Sequence, residues 1–208
     1  MKVIKNYLYN VGYQVLAIIV PLITSAYVSR VLRPEGVGAN SFTNSIIQYF
    51  ILIANMGIGF YGNRQIAYVR ENRAQMSRTF WEIQIVKTIM TLYAFVAFEV
   101  FMIFYTRQPE YMWAQSINLI AVALDISWFY EGIEDFKVTV LKNSFVKIIS
   151  MIAIFIFIKG PQDVTLYIIV LALSTLLGNL TLWPNIRRDL SRTEWNILNP
   201  WQHFFFFF

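Results

Sequence analysis

Cysteine is absent from the chain, which excludes a disulfide framework, a thiol nucleophile and a thiolate metal site. Histidine occurs once, as His203 in the closing segment, so imidazole general-base or metal chemistry has little to work with. Charge is scarce as well. Asp, Glu, Lys and Arg make up 14% of the residues, whereas a soluble domain carries about 25%. A membrane-embedded transferase would need an acid, base or metal cluster at a membrane face, and Glu131, Glu134 and Asp135 read instead as a hydrated turn. The composition implies no cofactor.

What the chain has in abundance is apolar length. Hydrophobic residues reach 57% and mean hydropathy is +0.52. Residues 7–29, 36–63 and 164–186 carry no charge at all, and a spanning helix needs about 20 mostly apolar residues. Three further apolar stretches are interrupted by Lys87, Glu99, Asp125, Lys142 and Lys147. The expected fold is an all-α integral membrane protein. Over residues 1–203 it is a bundle of about six transmembrane helices near 7–31, 37–62, 80–106, 111–130, 138–158 and 163–186. Tyr7, Tyr61, Tyr105, Tyr111, Trp113, Trp128 and Trp183 fall near span ends, where amphipathic rings suit the headgroup boundary. The start Met1-Lys-Val-Ile-Lys resembles a signal peptide, but the apolar run after it exceeds the 7–15 residues of a signal core, so it reads as a retained first span.

The distribution of positive charge sets an orientation. With the N-terminus on the cytoplasmic side, inner loops hold Lys2, Lys5, Arg64, Arg70, Arg73, Arg78, Lys137, Arg187, Arg188 and Arg192. Outer loops hold only Arg30, Arg33, Arg107 and Lys159, as the positive-inside rule requires. The net charge of +5 therefore reports topology, and nucleic acid is a poor partner for it. The lipid bilayer is the partner that composition implies. The basic stretch 61–78 reads as a partly helical segment along the inner surface, attracted to anionic lipid or recruiting a phosphate-bearing substrate.

A charge at mid-bilayer costs roughly 2.5–3.5 kcal/mol on insertion scales, so the five interrupting residues are expected to face a polar interior. Asn40, Asn44 and Gln48 follow i, i+4, i+8 spacing on span two, which puts them on one helical face. They serve either as interhelical hydrogen-bonding groups or as a pathway lining for a hydroxyl-rich substrate. Lys87 and Glu99 lie about 18 Å apart along one helix and cannot pair. Asp125 falls at a depth similar to Lys87 and Lys147, so it is either a structural ion-pair partner of Lys87, Lys142 or Lys147 or, with Glu99, an ion-coupling candidate. Pro21 is expected to kink span one, Arg30–Gly38 to make a tight reversal, and the charge-free span six to act as a packing helix.

Three segments carry a family resemblance in combination. They are Pro21 followed by Tyr27-Val-Ser-Arg-Val-Leu-Arg-Pro-Glu-Gly-Val-Gly; Gly57-Ile-Gly-Phe-Tyr-Gly-Asn-Arg-Gln-Ile-Ala; and Asp125-Ile-Ser-Trp-Phe-Tyr-Glu-Gly-Ile-Glu-Asp-Phe-Lys. Over residues 1–203 the chain resembles the N-terminal half of the Wzx-type oligosaccharide-repeat-unit flippases, polysaccharide exporters of the multidrug/oligosaccharidyl-lipid/polysaccharide superfamily. The resemblance implies a transporter of the bacterial cytoplasmic membrane rather than an enzyme. Such a transporter moves polyprenyl-diphosphate-linked oligosaccharides outward for capsule, exopolysaccharide or O-antigen synthesis, with polymerase and glycosyltransferases as candidate partners. Arg30, Arg64, Lys87, Lys142 and Lys147 are then candidates for the diphosphate, and Asn40, Asn44 and Gln48 for sugar hydroxyls. Glu99 and Asp125 are candidates for ion coupling. A drug or lipid II exporter of the same superfamily and a non-transporting assembly subunit are the competing readings. The five-Phe tail at 204–208 resembles no cap, anchor or targeting motif and reads as a truncation or frameshift; a lone lobe would not transport unless it pairs with another chain.

Overall fold

The computed structural model describes the backbone of residues 2–105, 107–191 and 198–204, and side chains at 15, 18–105, 107–135, 144–191 and 198–203. The side chains of Lys137, Lys142 and Arg192 and the 205–208 end of the poly-Phe tail lie outside the described residues. Among the described residues all regular structure is helical, with no strand. The helices are α1 (Lys2–Val31), α2 (Arg33–Asn55), α3 (Ile58–Val69), α4 (Arg73–Phe104), α5 (Pro109–Ala123), α6 (Ser127–Gly132), α7 (Phe136–Phe157), α8 (Val164–Leu180), α9 (Trp183–Asp189) and α10 (Trp201–Phe204). A 3₁₀ turn, Pro161–Asp163, leads into α8.

Three helical runs among the described residues are long and apolar enough to cross a membrane: Arg33–Val69, Arg73–Phe104 and Pro161–Asp189. Ile18–Val31 and Ser144–Phe157 are shorter apolar helices. The outward surface fits a lipid solvent. Phe60 is 90% exposed, Phe104 81% and Ile103 74%, an exposure of large apolar groups that water would penalise. The protein is thus an all-α, multi-pass membrane protein.

The breaks between helices have local causes. α1 continues as one helix through Pro21 and stops at Leu32; Arg33 has φ 61°, and Pro34 then occupies the first turn of α2, where a missing N–H costs nothing. The expected 37–62 span divides at Met56 (φ 29°) and Gly57 (φ 78°), separating α2 from α3. α4 begins behind Asn72, whose side chain accepts the Gln75 N–H at 3.1 Å. The Asp163 carboxylate gathers the Lys159 and Gly160 amides ahead of α8, at 2.8 and 2.9 Å.

The segment 111–130, expected as one span, is in fact α5, a non-helical step and α6. Asp125 lies in that step, not on a helix. Its carboxylate accepts the Ser127 N–H at 3.0 Å, a local bond that competes with helix continuation. The surface segment expected at 61–78 is divided between α3 and the start of α4, and α3 packs on protein. A Cβ added to Gly62 would lie 2.5 Å from the Trp128 ring, and one added to Gly132 would lie 2.7 Å from Ile66. α3 and α6 therefore meet backbone to side chain, and two of the three resemblance segments pack on each other. The first docks elsewhere: Tyr27 Oη donates to the Ile158 carbonyl at 2.7 Å, and Gly36 sits against Val164.

Packing centres on α5, which lies against α8, α2 and α4. One apolar cluster joins Ile58, Ile66, Phe80, Ile83, Trp128 and Phe129 at the α3–α4–α6 end. A second joins Val28, Leu32, Ile154, Ile158 and Val164, and a third joins Ile47, Ala94, Phe98, Met112 and Leu119. Between these clusters the polar side chains of α2, α5, α7 and α8 are left to line the interior.

Candidate functional site: a polar groove along α8

α2 presents Asn40, Asn44 and Gln48 on one face, as the spacing predicts, and α5 meets that face with Gln115 and Asn118. Gln48 Nε2 donates to Asn44 Oδ1 at 3.0 Å, and Gln115 Nε2 to Asn40 Oδ1 at 3.3 Å and Thr43 Oγ1 at 3.4 Å. Asn118 Nδ2 donates to Gln115 Oε1 at 2.9 Å. Gln115 is buried with both ends of its amide bonded, so it holds the ladder in place. Among the described residues, Asn44 Nδ2 and Gln48 Oε1 bond no protein group. They face a cavity of about 310 Å³ closed on the third side by Ile168, Leu171 and Thr175 of α8. The lining is neutral, with donors and acceptors in the same small space.

Thr175 also lines two further cavities. One, of about 360 Å³, lies between α1, α7 and α8 and is walled by Thr24, Ser25, Lys147, Ser150, Tyr167 and Ser174. The other, of about 210 Å³, is walled by Lys147, Ser174, Gly178 and Asn179. Several of these hydroxyls donate to helix carbonyls of their own turn, as Thr24 does to Val20 and Ser150 to Lys147. Polar groups therefore follow α8 from Tyr167 to Asn179, about 18 Å, with the amides of α2 and α5 on one side of it and Lys147 of α7 on the other. Span six, read from sequence as packing, contributes one wall of this groove.

Lys87, Asp125, Arg30, Arg64 and Glu99 lie apart from these three cavities. Lys87 is 1% exposed and donates to the Asp125 carbonyl oxygen at 2.6 Å and to its carboxylate at 3.3 Å. The break after α5 leaves a carbonyl that the ammonium takes, a cation at a helix C-terminus. Lys87 is thus directed at Asp125 and not at open space. Arg30 and Arg64 are exposed, and Glu99 is half-buried on α4. Sequence reasoning missed Gln115, Asn118, Ser174 and Thr175. It also set His203 aside, whereas the structure buries it against Glu82 and Tyr61.

The family model described as polysaccharide biosynthesis protein matches residues 3–208. The chain belongs to that family. It is also 22% identical over 165 residues to a protein of Escherichia coli (strain K12) named "Putative O-antigen transporter", covering 78% of this chain and 40% of that protein. A Shigella dysenteriae protein of the same name is 25% identical over 147 residues, covering 69% and 37% respectively. The chain spans about 40% or less of the length of these curated relatives. No solved structure matches it.

Proposed function

We propose that this chain is one lobe of an exporter that carries polyprenyl-diphosphate-linked oligosaccharide repeat units across the bacterial cytoplasmic membrane, with its N-terminus on the cytoplasmic side. The observation that supports this reading best is the groove along α8, where three cavities with polar groups in their apolar walls share Thr175 inside a lipid-facing bundle. The ligand it suits has two chemistries side by side. Asn40, Asn44 and Gln48, with Gln115 and Asn118, take sugar hydroxyls, which donate and accept as side-chain amides do. Lys147 takes the diphosphate through charge-assisted hydrogen bonds, with Ser150, Ser174 and Thr175 beside it. Lys142, one helical turn and a half earlier on α7, is a second cation candidate for the same anion.

Arg30 and Arg64, both exposed, suit recruitment of the anion at the surface. Lys87 acts by holding Asp125 in place. Asp125 and Glu99 stay the ion-coupling candidates, and polymerase and glycosyltransferases the candidate partners for capsule, exopolysaccharide or O-antigen assembly. A lysine in the groove disfavours a cationic drug as cargo, which weighs against the drug-exporter alternative.

The test is binding by the purified chain in lipid nanodiscs. Lysine at 147 replaced by alanine (Lys147→Ala) should weaken binding of a polyprenyl-diphosphate oligosaccharide roughly tenfold, the loss of a hydrogen bond to a charged group. It should leave binding of the matching neutral glycan unchanged. Asn44→Ala with Gln48→Ala should weaken both. Equal affinity of the parent and both variants for the lipid-linked sugar would remove the groove from the mechanism.

A further inference from the structure

Glu82, on α4, is 1% exposed and belongs to none of the three cavities. Its Oε1 accepts Arg78 Nε at 2.9 Å and the Asn199 backbone N–H at 2.7 Å. Its Oε2 accepts Gln202 Nε2 at 2.7 Å and lies 3.0 Å from His203 Nε2. The carboxylate selects the tautomer of that ring, since a lone pair on Nε2 would face an anion; Nε2 carries the proton. The other ring nitrogen lies 2.7 Å from the Tyr61 hydroxyl on α3, which donates to it when the imidazole is neutral. Gln202 Nε2 also sits 3.2 Å from His203 Nε2.

Every group around the carboxylate is a donor, and an ionised carboxylate is the acceptor-only side chain that satisfies such a shell. Three of the four donors come from residues 199–203. The same residues bury little: Asn199, Trp201 and Gln202 are exposed, Trp201 at 60%, and only His203 is buried. Apolar burial therefore contributes little to docking this segment, and the polar anchors decide it. The chain just before it is fastened separately. The Arg73 guanidinium donates to the carbonyls of Arg188, Asp189 and Leu190, and Ser77 Oγ accepts the Ser191 N–H at 2.8 Å.

We propose that Asn199–His203 is a releasable strap, docked by the carboxylate of Glu82 and closing the seam where α3 meets α4. The charged and titratable groups facing the site are Arg78 and Glu82 on α4, Tyr61 and Arg64 on α3, and His203 on the strap itself. Released, the strap uncovers Glu82, Arg78 and Tyr61 together, while Ser191 stays clipped to α4.

Hydrogen–deuterium exchange of the purified chain in nanodiscs tests this directly, read by mass spectrometry on the peptide holding residues 198–203. In the parent chain the peptide is protected. Glu82→Gln places amide N–H among donors and should speed its exchange at least about tenfold, the size expected when hydrogen bonds to a charged group are lost. Peptides from α5 and α8 should exchange as before. Unchanged protection in Glu82→Gln overturns the proposal. If Glu82→Gln also loosens α5 and α8, the decision passes to the double variant Gln202→Ala, His203→Ala, which alters the strap alone: tenfold faster exchange upholds the strap, and parent-like exchange overturns it.

Discussion

Lys87 and Asp125 illustrate how a single ion pair mixes two kinds of contact. The shorter bond, at 2.6 Å, goes to a backbone carbonyl, and the carboxylate lies farther off at 3.3 Å with 31% of its side chain exposed. Removing the lysine orphans both acceptors. Removing the carboxylate charge leaves the carbonyl bond in place. Lys87→Met should therefore destabilise the folded protein by about 2–3 kcal/mol, the loss of a charge-assisted bond to a buried carbonyl, and Asp125→Asn by about 1 kcal/mol, measured as thermal unfolding in detergent. Equal losses would mean that the carboxylate, not the carbonyl, holds the ammonium. That Asp125 could pair with a lysine at similar depth was legible in the sequence, but which of Lys87, Lys142 and Lys147 it would be was not. The chain break at Asp125 was not, because a short polar side chain bonding the amide two residues on is a choice made in three dimensions. Gln115 was hidden for a related reason: one neutral amide on an apolar span has no periodic signature until its partner helix is known.

Among the helices, the α3–α6 contact carries the clearest dependence on residue size. Gly62 faces the Trp128 ring so closely that a methyl group needs space the ring occupies, and Trp128 is itself stacked on Phe80 at 5.5 Å between centroids. Gly62→Ala should cost about 1–3 kcal/mol by overpacking, read as a lower midpoint in the same detergent melt. Gly59→Ala, where a Cβ would meet nothing within 4 Å, is the control and should sit close to the parent. An equal drop in both would show that the cost does not come from the Trp128 contact. At this scale the apolar runs marked where helices lie, because a bilayer enforces them. The divisions at Met56–Gly57, at 124–126 and at 181–182 escaped, since hydropathy is blind to φ angles and to side chains that cap a turn. Trp128, Phe129 and Tyr130, expected at the end of a span, are instead buried in the protein with α3 and α4.

For the molecule as a whole, the groove exists only where α2, α5, α7 and α8 converge, and Thr175 stands at that convergence. Thr175→Phe should fill the junction of the three cavities and cut binding of the lipid-linked oligosaccharide at least tenfold, with the melting temperature held within the range of a surface substitution. Binding that persists alongside a parent-like melt would show that ligand enters elsewhere. The class of protein was legible from composition and from three resemblance segments, and the aligned amides of α2 pointed to one wall. The other walls needed tertiary contacts between helices far apart in sequence. α4 adds a geometric constraint of its own. Its 32 residues reach about 48 Å, against a hydrocarbon layer of about 30 Å. The helix must lean, or push about a third of its length past the acyl chains into the headgroups and beyond. Its tilt then answers to the thickness of the surrounding bilayer, and so do the helices packed on it, which makes lipid chain length a setting for the angle at which this bundle stands.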